Sequence, residues 1–442
     1  MSQASRISLT LRSRVRFYLN RIREHLWVKP LVICLLSIIV AFLAALADRF
    51  DFGQSVPDIS AKSIETLLSI VSTSMLVIAV FAVGAMLSAY ASASSAATPR
   101  SFFLVIADDV SQNSLSVFIG AFIFSIIGLV ALLNGIYDKP GRFVLFLITM
   151  IVFAMVIFTF VRWVDRIARL GRLGTTVDKV EAAARDALTI RARFPTFGAA
   201  KEVKTDGQGV AVYSKEVGYV QRIDVARLQI LAEQFEGNIV VCALPGTFSA
   251  PDQPLAYVEA PNFSEAETVL DDIGGAFMIG GERTFDEDPR FGLVVLSEIA
   301  SRALSPAVND PGTAIDVIGT LVRLFVLWTR SYDAAGEHSV EFDRVAIPEI
   351  SLDDMFDDAF NAISRDGASA LEVAIRLQKA FHSLVSLEHK QMRQAAIAHA
   401  RLALRYAELA LKLPEEIEAV RRVAEHTIQM ETDDDKQGAP FD

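Results

Sequence analysis

Cysteine is almost missing: Cys34 and Cys242 are the two in 442 residues, and their separate locations exclude a disulfide-framed secreted domain. A basic surplus is missing as well. Against 53 acidic residues stand 42 lysines and arginines, a net charge of −11, which excludes nucleic acid as the natural partner. Nucleophile motifs are lacking too, since no serine sits in a G-x-S-x-G elbow and neither cysteine has a base nearby in sequence. Of the 6 histidines, His382 and His389 stand seven apart and would share one face of a helix. Two histidines without a third convergent ligand make a poor zinc site, and a solvated helix surface is the simpler reading. No enzyme, cofactor or metal is expected from these residues.

What the sequence has in excess is apolar length. Hydrophobic residues make up 52% and the mean hydropathy is +0.37, above the range of a wholly soluble chain. The four longest charge-free stretches, 30–47, 66–99, 110–137 and 143–161, all lie in the first 165 residues. A span needs roughly 20 apolar residues to cross a ~30 Å hydrocarbon layer. Spans are therefore expected at about 28–47, 67–90, 115–137 and 143–163, the first drawing on Leu26 to Val28. Asn134-Gly135 and Lys139-Pro140-Gly141 would form the turn of a hairpin between the last two. Ala45-Leu46-Ala47 resembles a signal-peptide cleavage site, but the basic leader 1–29 and the long apolar run favour an uncleaved anchor. Arg6, Arg12, Arg14, Arg16, Arg21, Arg23 and Lys29 precede span one, and Arg162, Arg166, Arg169, Arg172 and Lys179 follow span four. The expectation is an inner (plasma) membrane protein with both termini cytoplasmic.

No ionisable residue lies within a span, which argues against a proton-coupled transporter. On span two, Gly84, Ser88, Ser92 and Ala96 recur every four residues. This small-residue face is read either as a helix-packing seam or as a narrow polar lining, with Ser69, Ser72, Thr73 and Ser74 continuing it.

After the spans the pattern is that of soluble protein. Residues 175–193 read as a connecting helix, with Val177, Val180, Ala184 and Leu188 on one side. Asp178, Lys179, Glu181, Arg185 and Asp186 fall on the wet side. Short strand-like runs over 205–260 suggest a small β-rich module with an inserted helix capped by Asp224. Its spacing is loosely similar to biotinyl and lipoyl carrier barrels, yet no lysine occupies a hairpin tip, so no prosthetic group is inferred. From 262 to 430 the chain reads as helical, with helices at about 264–276, 291–304, 312–330, 352–363, 368–411 and 415–430. Phe291 to Trp328 is apolar enough for a fifth span. Its charges (Glu298, Arg302, Asp310, Asp316 and Arg323) would each cost ~2.5–3.5 kcal/mol near the bilayer centre, so a buried hairpin is expected instead. The acidic tail 431–442 is expected to be disordered. The fold class is thus a multi-pass α-helical membrane bundle of four spans followed by a cytoplasmic α+β domain.

The densest polar stretch is 280–314. Arg283, Asp286, Asp288, Arg290, Glu298, Arg302, Asn309 and Asp310 could form an internal ion-pair network, hold a small anion or nucleotide, or coordinate a hard cation. Gly280-Gly281 is too short for a phosphate loop, and the spacing fits no EF-hand. Asp310 would cap a helix opened by Pro311, with Ser305 or Asn309 closing the one before. Four strings resemble a prokaryotic membrane-protein family catalogued as domain of unknown function 2254. They are Thr284-Phe285-Asp286…Asp288-Pro289-Arg290-Phe291-Gly292, Leu304-Ser305-Pro306…Asn309-Asp310-Pro311, Thr98-Pro99-Arg100 and Gly218-Tyr219-Val220-Gln221. The resemblance runs from span one to about residue 430 and implies an integral membrane protein without an established activity. Two functions stay open: an oligomeric channel- or transport-like protein with a cytoplasmic regulatory domain, and a membrane-anchored sensor or scaffold. A membrane-proximal enzyme using Asp286, Asp288 and Arg290 is more remote. The expected partners are the lipid bilayer and further copies of the chain, with a small anionic ligand or ion possible in principle.

Overall fold

The computed structural model describes residues 28–46, 48, 57–96, 98–101, 104, 109–169, 173–201, 209–260, 269–335 and 340–437. The basic leader up to Trp27, Asp108 and Arg172 lie outside the described residues. So do 205–208 of the β-rich stretch, the start of the helix expected at 264, and 438–442. The chain divides into two compact units, one ending at Thr176 and the other beginning at Val177.

Among its described residues the first unit is a bundle of four α-helices: α1 (Val28–Leu46), α2 (Ala61–Ala96), α3 (Asp109–Leu133) and α4 (Lys139–Arg169). Helix α3 packs against the other three, and two glycines explain how. Any side chain at Gly120 would collide with Ile33 of α1, while Gly128 faces Leu68 of α2 and Leu145 of α4. Small residues let backbones approach where lipid offers no hydrophobic drive for association. At one end of the bundle the Tyr137 hydroxyl donates to the Ala41 carbonyl at 2.9 Å. Nearby, Asp48 accepts from the amides of Gly141 at 2.6 Å and Asp138 at 3.1 Å, capping α4. The turn itself is shorter than expected. Gly135, with φ 67°, ends α3, and Lys139-Pro140-Gly141 already form the first turn of α4, where proline's missing N–H costs nothing.

The outside of this unit is apolar. Leu35, Ile39 and Phe42 of α1, Val77, Val80 and Phe81 of α2, and Ile151, Phe158 and Val161 of α4 are all exposed, which suits hydrocarbon and not water. Among the described residues four helices are long and apolar enough to cross a membrane: Ala61–Ser92, Val110–Leu133, Lys139–Ala168 and Pro311–Ala334. Three match expected spans. Val28–Ala44 ranks as a shorter apolar helix; the whole of α1, with 19 residues, spans ~28 Å at 1.5 Å per residue. The fourth belongs to the second unit and turns its apolar side inward. Ala314, Val317, Ile318, Leu321, Leu324 and Phe325 are fully buried, while Asp316 and Arg323 face out.

The second unit opens within α5 (Leu173–Arg193), whose Val177, Val180, Ala184 and Leu188 are buried as the periodicity indicates. The strands do not close within 205–260. One sheet has the order β1-β8-β4-β6-β2, built from β1 (Ala199–Ala200), β2 (Val210–Val212), β4 (Asn238–Val241), β6 (Ala256–Glu259) and β8 (Phe342–Ala346). The other is β5-β3-β7, with β3 (Gly218–Ile223), β5 (Phe248–Ser249) and β7 (Phe277–Gly280). Strand β8 runs parallel to both β1 and β4, an arrangement unlike a carrier barrel. β7 and β8 come from the region read as helical, because runs of four and five residues carry little periodicity and owe their extended form to distant partners. Between β3 and β4 lies α6 (Val225–Gln234). Asp224 caps it, accepting from the Arg227 amide at 3.1 Å, and Leu228, Leu231 and Phe235 are buried against the sheet.

A short α7 (Leu270–Gly274) precedes β7. The remainder is helical: α8 (Pro289–Ala303), α9 (Pro311–Ala335), α10 (Leu352–Asp366), α11 (Leu371–Val385), α12 (Lys390–Ala410) and α13 (Pro414–Gln437). The helix expected over 368–411 is two. It breaks at Ser386–His389, where His389 accepts from the Met392 amide at 3.3 Å and caps α12. No proline or glycine marks this break. The tail is helical as far as Gln437, since nothing from Glu431 to Gln437 stops a helix before Gly438.

Candidate functional site

The 280–292 segment joins β7 to α8, and its centre is Asp288. This residue is 1% exposed and accepts from the Phe291 amide at 3.1 Å, so it is the N-cap of α8, with Pro289 in the first turn. Arg283 closes on it as a fork, Nε to Oδ2 at 2.7 Å and Nη2 to Oδ1 at 3.0 Å. The carboxylate lies against Gly246, whose φ of 94° and missing Cβ make the space; any side chain there would run into Asp288. Burial raises the Asp288 carboxyl, and the Arg283 hydrogen bonds pull it back down. Arg283 also lies over the Phe291 ring at 5.3 Å, and Phe285 packs on Phe291 at 4.6 Å.

Arg290 reaches across to α10. Its Nε meets Asp358 at 2.6 Å and its Nη1 meets Asp354 at 2.6 Å, tying two helices whose residues are distant in sequence. Asp286 is exposed. Glu287 meets the Nε of Arg222, on β3, at 3.2 Å, and burial lifts its carboxyl to about 7 against the opposing charge of Arg222.

The remaining candidates lie at the far end of α8, which is 15 residues or ~22 Å long. Glu298 is half-buried along its length and Arg302 is exposed. The Ser305 hydroxyl donates to the Arg302 carbonyl at 2.6 Å, and the Asn309 amide donates to the Ser305 carbonyl at 2.8 Å. Asn309 takes a left-handed φ of 50°, tolerable for asparagine. Asp310 caps α9, accepting from the Thr313 amide at 3.1 Å and hydroxyl at 2.6 Å, and these bonds hold its carboxyl below the usual range. The structure therefore brings Arg283, Asp288 and Arg290 to one end of α8 and leaves Arg302, Asn309 and Asp310 at the other. One convergent pocket of all eight is ruled out by that length.

One side chain differs from the amphipathic reading of α5, and a second, Arg191, was not assigned by it. Glu181, placed there on the wet face, is 9% exposed and held by Arg323 of α9 through bonds of 2.9 and 2.6 Å, with Arg185 at 3.2 Å. Near it, Gly292 of α8 sits so close to Ala184 that a Cβ would collide. Arg191, two residues from the end of α5, is buried and stacked on Phe197 at 3.9 Å. Its i, i+3 and i, i+7 relation to Leu188 and Ala184 is the signal that places it on the buried face. His382 and His389 do not share a face, because the break between α11 and α12 falls between them. Among the described residues no three His, Cys, Asp or Glu side chains group as a metal site.

On α2, Gly84, Ser88 and Ser92 are exposed, and nothing lies within 4 Å of where a Gly84 side chain would be. Ser69, Thr73 and Ser74 are exposed too, whereas Ser72, read as part of the same lining, is buried in the bundle. The side chain of Ala96 is outside what is described.

A stretch of 116 residues is 33% identical to an uncharacterised protein of Mycobacterium bovis, covering 25% of this chain and 22% of that protein, and an uncharacterised protein of Mycobacterium tuberculosis matches to the same degree. Another uncharacterised Mycobacterium tuberculosis protein is 62% identical over 40 residues, 9% of this chain and 8% of its own. The chain thus matches less than a quarter of the length of each of these relatives. No solved structure matches. The family model described as predicted membrane protein DUF2254 matches residues 23–383, most of the helices and all eight strands, and the chain belongs to that family.

Proposed function

We propose that the chain crosses the inner membrane through α1–α4 with both ends in the cytoplasm, and that copies associate along the outer face of α2 to form or gate a permeation path. The second unit then serves as a cytoplasmic regulatory domain reached through α5. The observation that carries this reading is the orientation of Gly84, Ser88 and Ser92. They face away from the bundle, together with Ser69, Thr73 and Ser74. A hydroxyl facing hydrocarbon gains nothing, whereas a small, weakly polar face suits either close contact with a second helix or a wet lining. The interior of one bundle is filled by side chains such as Phe118, Phe124 and Leu145, so a path between copies is favoured over one within a copy. The arginine-rich flanks of α1 and α4 support the orientation.

A scaffold or sensor that associates through the same face without conducting is supported by the lack of ionisable residues within the spans. Liposome flux separates the two. Purified chain should release trapped ions, Ser88→Leu should suppress the release, and Ser88→Cys should give an oxidised dimer. Dimer formation without flux in any ionic condition supports the scaffold. Neither flux nor cross-linking overturns the α2 seam altogether.

A further inference from the structure

Among the described residues, His399 is the histidine whose two ring nitrogens both meet acceptors. It lies on α12 and is 7% exposed. Its Nδ1 is 2.9 Å from the Ala395 carbonyl, one turn earlier, and its Nε2 is 3.1 Å from Oδ1 of Asp357 on α10. A carbonyl and a carboxylate only accept, so the ring has to donate at both positions, and a neutral imidazole has one N–H to give. The charged imidazolium satisfies both contacts at once. Either neutral tautomer sets a ring lone pair against an oxygen. The same Oδ1 accepts from Nδ2 of Asn361 at 2.7 Å, so a second donor fixes the carboxylate in place. Phe356 at 5.3 Å and Phe381 at 6.3 Å flank the ring.

Three helices pack against α12, and they bring few charges to this ring. From α10 comes Asp357; its neighbours Asp354 and Asp358 are each drawn to Arg290 of α8 at 2.6 Å, and Asp353 is exposed. From α11 the ring meets Phe381, while Glu372, Arg376, Lys379 and His382 of that helix are exposed. From α13, Arg421 meets Glu408 at 2.6 Å, nine residues or two and a half turns beyond His399 and so on the opposite side of α12. On α12 itself the positions three and four residues away are Ala395, Ala396, Leu402 and Ala403. Asp357 is thus the charge that the ring answers to.

We propose that His399 and Asp357 form a proton-operated clasp between α12 and α10. With its proton, the ring joins the two helices; without it, the Nε2 lone pair faces the carboxylate and the join turns from attraction to repulsion. A tether of purely structural purpose would be met by any donor indifferent to pH, such as the Asn361 amide that already bonds the same oxygen. The clasp bears on the candidate site as well, because α10 is the helix that Arg290 ties to α8 and to the 280–292 segment. It concerns the second unit alone and stands whether or not copies associate along α2.

Hydrogen exchange of the full chain in lipid nanodiscs tests this, read over residues 395–403 at about pH 5 and about pH 8, which bracket the range in which histidines change charge, and corrected for intrinsic exchange. Protection is present while the ring is protonated and lost as pH rises, so it should be about threefold higher at the acid end. His399→Gln should remove the difference. Asp357→Asn is the sharper variant: the amide can donate to a neutral ring, so the difference should vanish or reverse. The Asp357 side chain is 58% exposed, so that exchange spares the fold even where loss of the buried ring does not. A difference of the parental size in either variant, or none in the parent chain, overturns the clasp.

Discussion

Asp288→Ala tests the role of the 280–292 segment most directly. The substitution removes a helix cap and both acceptors of a fork, and it strands the Arg283 guanidinium, whose side chain is 19% exposed. Breaking a buried pair by deleting one member costs about 3–5 kcal/mol, and losing a cap adds about 1 kcal/mol. Some of that is recovered where Arg283 swings toward solvent, leaving about 4 kcal/mol. For a unit of this size 1 kcal/mol moves the midpoint by about 2–4 °C, so a drop of about 8–16 °C is expected. Asp288→Asn should cost less, about 1–2 kcal/mol, because the amide oxygen keeps the cap and burial already disfavours the charged carboxylate. Arg283→Met combined with Asp288→Asn should fall no further than Asp288→Ala, since no buried charge is then left alone. Thermal unfolding of the full chain in detergent, followed by circular dichroism, gives all three numbers. If Asp288→Ala melts within about 2 °C of the parent chain, the fork is not structural and a role in chemistry for Asp288 becomes the better reading.

Two further outcomes follow from neighbouring geometry. Gly246→Ala must both strain a φ of 94° and displace the Asp288 carboxylate, so a loss of about 2–4 kcal/mol is expected by the same melting assay, and it should shrink in an Asp288→Ala background. Glu181 is held below the ordinary carboxylate value of 4.5, chiefly by Arg323, so its contribution is present above that value and lost as pH falls below it. With Arg323 mostly exposed the effect is about 1 kcal/mol, so Glu181→Gln should lower stability by about that much at neutral pH and flatten the acid limb, the two profiles converging at low pH.

Much of the first unit was legible because a run of roughly 20 apolar residues is a strong, local signal. Capping was legible for the same reason: Asp224 and Asp310 each bond to an amide three residues on, and short-range chemistry is written in adjacent letters. What escaped depends on distance along the chain. β8 is a strand because β4 lies beside it, about a hundred residues earlier, and its own five residues carry no alternation strong enough to say so. Arg290 could be picked out as charged, but its partners Asp354 and Asp358 lie 64 and 68 residues away. The break at Ser386–His389 uses a histidine cap in place of glycine or proline, and Glu181 looked wet because its partner Arg323 on α9 lies 142 residues away.

The parallel union of β4 with β8 has a practical corollary for anyone dissecting this molecule. A fragment cut after Glu259 would expose the backbone edge of β4 that β8 normally occupies, and would strip the cover from Ile239 and Val241. Such a piece would present a hungry strand edge to its neighbours and clump, while the downstream helices, deprived of the sheet, would keep their coils but not their order. The sheet that follows α5 is complete only when the chain runs on through β8.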